Sequence, residues 1–147
     1  MTSDPDLARA TRALALAARS LERAAGAVDL TLAQYRVLGL IAAGDERSSL
    51  LADRLAVAKP TITAVVDGLV ERGLIERGAV RGDRRSIRLS LTRAGVQALR
   101  ASEKEMAVAL ETIFGHARDR DALLHALGEL DEALAARSQA RLHEVRA

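Results

Sequence analysis

Cysteine is absent from the 147 residues. That removes disulfides, thiol redox sensing, thiolate metal sites and cysteine nucleophiles from consideration. Aromatic residues are nearly missing as well, with Tyr35 and Phe114 alone. A core must therefore come from Leu, Ala, Val and Ile, which favours helices packed closely through alanine over a large sheet. No apolar run approaches the roughly 20 residues that a membrane span needs. The polar, acidic start from Met1 to Asp6 does not read as a secretory signal. A cytoplasmic protein without a membrane partner is expected. His116, His125 and His143 have no arranged carboxylate partners, so neither a metal nor any other cofactor is expected.

What is present is hydrophobic material for one globular unit, 49% of the residues, and an uneven charge distribution. The net charge is only +2, yet residues 59–93 carry eight basic and four acidic side chains. A positive middle segment between mixed-charge flanks is suited to a polyanionic partner.

Apolar periodicity divides the chain. Leu7, Leu14, Leu21 and Val28 recur at heptad spacing, with Ala10, Ala17 and Ala24 beside them. An alanine-rich stripe of this kind suits close packing in a homodimer. After a break at 26–29, Thr31 is placed to cap a helix over Leu32–Ala43, with Tyr35, Val37, Leu38 and Ile41 inward and Gly44 as its stop. A short helix follows from Ser48 or Ser49 to Leu55, with Leu51, Ala52 and Leu55 inward. After a turn at 56–58, Pro60 stands in the first turn of another helix, where its missing N–H costs nothing. Ile62, Val65, Val66, Leu69 and Val70 form that helix's buried stripe, and Gly73 stops it. Its outward face carries Lys59, Thr61, Thr63, Ala64, Asp67, Gly68 and Glu71.

Between Ile75 and Thr92 two apolar stretches flank a tip rich in Gly and Arg, the pattern of a β-hairpin. Two helices joined by a tight turn and followed by a basic hairpin make a winged helix-turn-helix. The second helix fits the major groove, while guanidinium groups on the hairpin suit the negative potential of the minor groove. From Thr92 the chain returns to helix. Val96, Leu99, Met106, Leu110 and Ile113 mark one apolar stripe, interrupted by Glu103. Leu123, Leu127, Leu130 and Leu134, with Leu142 and Val145, mark another.

Four blocks, in this order and spacing, resemble the MarR family of bacterial transcriptional regulators. They are Gln34-Tyr35-Arg36-Val37-Leu38, Leu51-Ala52-Asp53-Arg54-Leu55, Val66-Asp67 with Leu69 to Arg77, and Asp83-Arg84-Arg85-Ser86 leading to Leu89-Ser90-Leu91-Thr92. The resemblance spans nearly the whole chain. It implies a mainly α fold with a small β-wing, a winged helix-turn-helix lobe at 31–93, and dimerisation helices at 1–30 and 94–147 in one domain over 1–147.

The implied function is that of a homodimeric, ligand-responsive repressor, not an enzyme, acting on a pseudo-palindromic operator in double-stranded DNA. Its DNA-contacting residues would be Lys59, Thr61, Thr63, Ala64, Arg81, Asp83, Arg84 and Arg85. Arg85 would enter the minor groove, Asp83 would orient the wing, and Arg84 would lie close to phosphate. A small-molecule effector would be met by Tyr35 and Arg36. The alternative is a helical interaction module whose winged lobe docks a protein, with little salt dependence and no operator footprint. Departures from the family pattern are Ala58, where a capping Ser is common, and Ala64 and Gly68, where Arg is frequent. The helix entering the major groove is thus poor in cations, which shifts affinity towards Lys59 and the wing.

Overall fold

The computed structural model describes residues 4–44, 47–80 and 83–146; the side chains of 49, 80, 83–86 and 141–146 lie outside the described set. Helix α1 spans Pro5–Gly26 and begins at Asp4, whose carboxylate accepts from the amides of Asp6 and Leu7. Helix α2 covers Leu32–Ala42, one residue shorter than its periodicity suggests. Its start is a full capping box. Gln34 N donates to Thr31 Oγ1 at 3.1 Å, while Gln34 Oε1 accepts from Thr31 N at 3.0 Å. Gly44 follows at φ 105, a conformation that suits glycine.

Helix α3 is Ser48–Leu55 and helix α4 is Lys59–Glu71. Between them Ala56 adopts a left-handed φ of 53, so the tight turn is made at a cost that glycine would avoid. Helix α4 ends in a Schellman motif. Leu74 N donates to Leu69 O and Gly73 N to Val70 O, both at 2.9 Å, with Gly73 at φ 67.

Strands β1, Ile75–Val80, and β2, Asp83–Leu91, form an antiparallel hairpin. The pairing runs regularly from Ile75 opposite Leu91 to Ala79 opposite Ile87, then steps to Val80 opposite Asp83. Residues 84–86 of β2 fall within that step, so the tip is an irregular hairpin and not a symmetric one. Helix α5 runs Arg93–Phe114 and helix α6 runs Arg120–Arg146.

One apolar cluster joins these elements. Val66, Leu69 and Ile62 of α4 are buried with Val37, Leu38 and Ile41 of α2, Leu51 and Ala52 of α3, and Ile75 and Leu89 of the hairpin. Burying a side chain of this size stabilises by about 1.5–3 kcal/mol. The cluster continues through Leu99 and Met106 of α5 to Ala25 of α1. Helix α1 packs along α5, but its N-terminal leucines stay outside: Leu7 is 66% exposed and Leu14 49%. On α6, Leu134 is 53% exposed. Among the described residues no helix is long and apolar enough to cross a membrane.

The base of the hairpin is fixed by one carbonyl. Leu74 O accepts from Thr92 N at 3.1 Å and from Thr92 Oγ1 at 3.2 Å, and the same hydroxyl reaches Gly73 O at 2.7 Å and caps α5 through Gly95 N. Gly95 lies so close that a Cβ built on it would stand 1.9 Å from Leu74 O. Gly95→Ala is expected to lower stability by about 3 kcal/mol, because a backbone oxygen shared by wing and helix must move. The check is a urea titration showing a lower midpoint at unchanged slope. A change below about 0.5 kcal/mol would contradict the close approach.

Candidate nucleic-acid interface

The buried stripe of α4 dictates what its other side presents. With Ile62, Val66 and Leu69 inward, Lys59, Thr61, Thr63 and Ala64 are all exposed on one surface. Ala58, the N-cap residue, makes no side-chain cap bond; Pro60 has no N–H and Thr61 N donates to Ala58 O at 3.0 Å, so among the described residues the Lys59 N–H is the one first-turn amide not accounted for. With the exposed Lys59 ammonium beside it, that N–H suits an anion. Thr63 behaves differently from a free hydroxyl. Its Oγ1 donates to Lys59 O at 3.0 Å, leaving its methyl and one acceptor position for an outside partner.

Asp67 stands on the outward face in sequence but does not act as a free acceptor there. Its carboxylate is ion-paired with Arg77 of β1, tying α4 to the wing. Glu76 of the same strand accepts from Ser90 Oγ of β2 at 3.3 Å. These links were not foreseen from residue type. An Asp ten positions before an Arg carries no local pattern, although the acid on the outer face of a helix poor in cations was a usable hint.

Asp83 begins β2, and Arg84 and Arg85 follow it at the irregular tip. Their side chains lie outside the described set, and Arg81 lies outside the described residues altogether. The hairpin backbone therefore brings 83–85 to the end of the wing, on the same lobe as α4. Tyr35 is half-buried against the core and Arg36 is exposed. Burial, and secondarily the Glu103 carboxylate, raises the Tyr35 phenol above its ordinary pKa. Neither residue lines the described grooves. One groove of about 420 Å3 lies between α1, α5 and α6, walled by Leu14, Leu21, Leu110, Phe114, Leu123 and Leu127. Another, of similar size, lies between α1 and α5 beside Arg23 and Glu105. Among the described residues no group of His, Asp and Glu is arranged to hold a metal.

A helix pair joined by a tight turn, an outward helix face, and an adjoining two-stranded wing define a winged helix-turn-helix protein. The family model for the MarR family matches residues 28–86. The transcriptional repressor CouR, in a structure bound to a 23-mer DNA duplex, is 30% identical over 85% of this chain and 89% of that one, with a TM-score of 0.74. CouR from Rhodococcus jostii RHA1 bound to p-coumaroyl-CoA superposes with a TM-score of 0.74 at 21% identity, covering 90% and 93% of the two chains. The Mycobacterium tuberculosis MarR family protein RV2887, in complex with salicylic acid, gives 0.73 at 20% identity over 88% and 98%. No curated protein sequence matches the chain. The chain belongs to the MarR family of transcription regulators.

The Asp67–Arg77 pair is half-exposed on both sides, so its worth is modest. A double-mutant cycle with Asp67→Ala and Arg77→Ala, read by urea unfolding, is expected to give a coupling of about 0.5–1 kcal/mol. Strict additivity would show that the pair does not join helix and wing in solution.

Proposed function

We propose that this protein is a homodimeric, sequence-specific DNA-binding repressor whose operator affinity is lowered by a small molecule. The observation that carries the proposal is the outward face of α4: a helix start without a side-chain cap, Lys59, and exposed Thr61, Thr63 and Ala64, set beside a hairpin in the basic middle segment of the chain. The helix enters the major groove, Lys59 meets phosphate through its ammonium and its amide, and threonine methyls meet thymine. Arg85 enters the minor groove from the wing, Asp83 orients the wing, Arg84 lies close to phosphate, and Arg81 adds charge. The DNA-bound structure of CouR, at 30% identity, supports this use of the lobe. A protein-docking role for the lobe is not favoured by that likeness.

Two copies are needed for a pseudo-palindrome. Helices within 1–30 and 94–147 supply the contact, and the exposed Leu7, Leu14, Leu130 and Leu134 give the apolar surface that a second copy covers. The lobe at 31–93 then reads one half-site per protomer. CouR is known bound to p-coumaroyl-CoA and RV2887 bound to salicylic acid, which supports a small-molecule effector here. Tyr35 and Arg36 are its proposed contacts: both lie on α2, which packs on α5, and Tyr35 stands near enough to Glu103 of α5 to feel its charge. No catalytic role is assigned, and the cytoplasm is the proposed compartment.

The test is a footprint over the DNA upstream of the protein's own gene, repeated with the compounds that neighbouring genes export or degrade. A protected, twofold-symmetric segment released by one such compound is expected; a uniform pattern at all protein concentrations would reject the proposal. Within that footprint assay, Arg85→Ala is expected to weaken operator binding by a factor of ten or more, on the order of the 1–3 kcal/mol of a good specific contact. Lys59→Ala is expected to lower the slope of log affinity against log salt by about one unit. An unchanged slope would remove Lys59 from the phosphate contacts.

A further inference from the structure

Arg72 closes α4 as its C-cap residue, and its side chain turns away from the wing. One guanidinium nitrogen, Nη1, donates to Gln34 Oε1 at 3.2 Å; the other, Nη2, donates to Asp29 Oδ2 at 2.9 Å. Both acceptors belong to the joint between α1 and α2. Asp29 makes that joint in the left-handed region at φ 58, and Gln34 Oε1 is the same atom that caps the Thr31 amide. A single planar group thus bridges the end of α4 to the point where the long α1 leaves the lobe.

Helices α4 and α2 also meet through apolar side chains. Val66 and Leu69 share the buried cluster with Val37 and Leu38, and such packing limits separation better than rotation. The fork adds direction, since a turn of α4 about its axis or a tilt at its end breaks both hydrogen bonds together. Thirteen helical residues make a lever of about 20 Å from Arg72 to Lys59. A tilt of about 10° at the Arg72 end moves the Lys59 end by about 3 Å, which exceeds the tolerance of a hydrogen bond. The Asp29 carboxylate is 96% exposed, so the pair adds little to folding stability. Its contribution is orientational.

We propose that Arg72 is a positioning residue for DNA recognition, locking the direction of α4 to the α1–α2 joint and thereby fixing how far apart the two α4 helices stand in the dimer. The inference rests on the DNA-binding function proposed above and assigns to that function a residue that need not touch DNA. It also requires the guanidinium itself, because the freely rotating donors of a lysine ammonium do not fix two acceptors in one plane.

The absence of cysteine makes the test clean. Thr61→Cys places a single spin label at the exposed start of α4, and the label-to-label distance across the DNA-free dimer is measured in the parent, in Arg72→Gln, in Arg72→Lys and in Asp29→Gly. Glycine keeps the left-handed backbone while removing the carboxylate, so Asp29→Gly separates loss of the fork from misfolding. Without the label, the same variants are titrated with the operator and with copies whose half-sites are moved by one base pair. The expected result is a distance distribution at least twice as wide in Arg72→Gln and Asp29→Gly, with Arg72→Lys close to them. Unfolding midpoints stay near the parent's, operator affinity falls roughly fivefold to tenfold, and the preference for the correct spacing falls with it.

Parent-like distance widths, or an equal affinity loss at every spacing, would overturn the proposal and make Arg72 a plain contact or a structural residue. If the parent binds no DNA while the widths still broaden, the DNA-binding function fails and the orientational role of Arg72 stands.

Discussion

The Leu74 carbonyl is the point on which the lobe's geometry depends. It stands one residue beyond the left-handed Gly73 that ends α4, at the root of the wing, and it accepts both the amide and the hydroxyl of Thr92. Gly95 presses against it with no room for a side chain. Three elements of different character, a helix with an exposed outer face, a hairpin that flanks it and a long helix that leads away, are therefore referenced to one oxygen. Moving that atom would displace the wing relative to α4, and the two must stay at groove spacing for either to be useful.

Apolar burial supplies most of the stability, but the polar links decide direction. The stripe of Ile62, Val66 and Leu69 holds α4 against the core. Asp67 then ties its outer side to Arg77 of the wing, and Arg72 ties its end to the α1–α2 joint. Charged side chains that look available for a polyanion are thus spent on posture. This matters for a recognition helix whose own cations number so few. With Ala64 and Gly68 on that face, the proposed contacts fall to Lys59 and the wing, and the angle at which α4 presents them carries more weight in the proposal than further contacts.

Much of this architecture was legible in the residues. Heptad spacing located α1 and α5, the Thr31–Gln34 pair announced the start of α2, and Pro60 and Gly73 bracketed α4. Two apolar stretches about a Gly- and Arg-rich tip announced the hairpin. Each of these signals is local, written within one or two helical turns. What escaped is long-range. Gly95 reads as an ordinary helix residue until the Leu74 carbonyl is brought against it. Asp67 reads as an outward acceptor until Arg77 arrives from β1. Arg72 reads as a solvated C-terminal cation until the fold carries Asp29 and Gln34 to it. The irregular step at 84–86 also has no sequence signature of its own.

The central claim is that two copies of one outward helix and one wing read a twofold-symmetric sequence. Selection of bound duplexes from a pool of random DNA tests it most directly. The account predicts an enriched inverted repeat whose half-sites lie about one helical turn apart, centre to centre. Recovery of unrelated sequences, or of a lone asymmetric half-site, would contradict it.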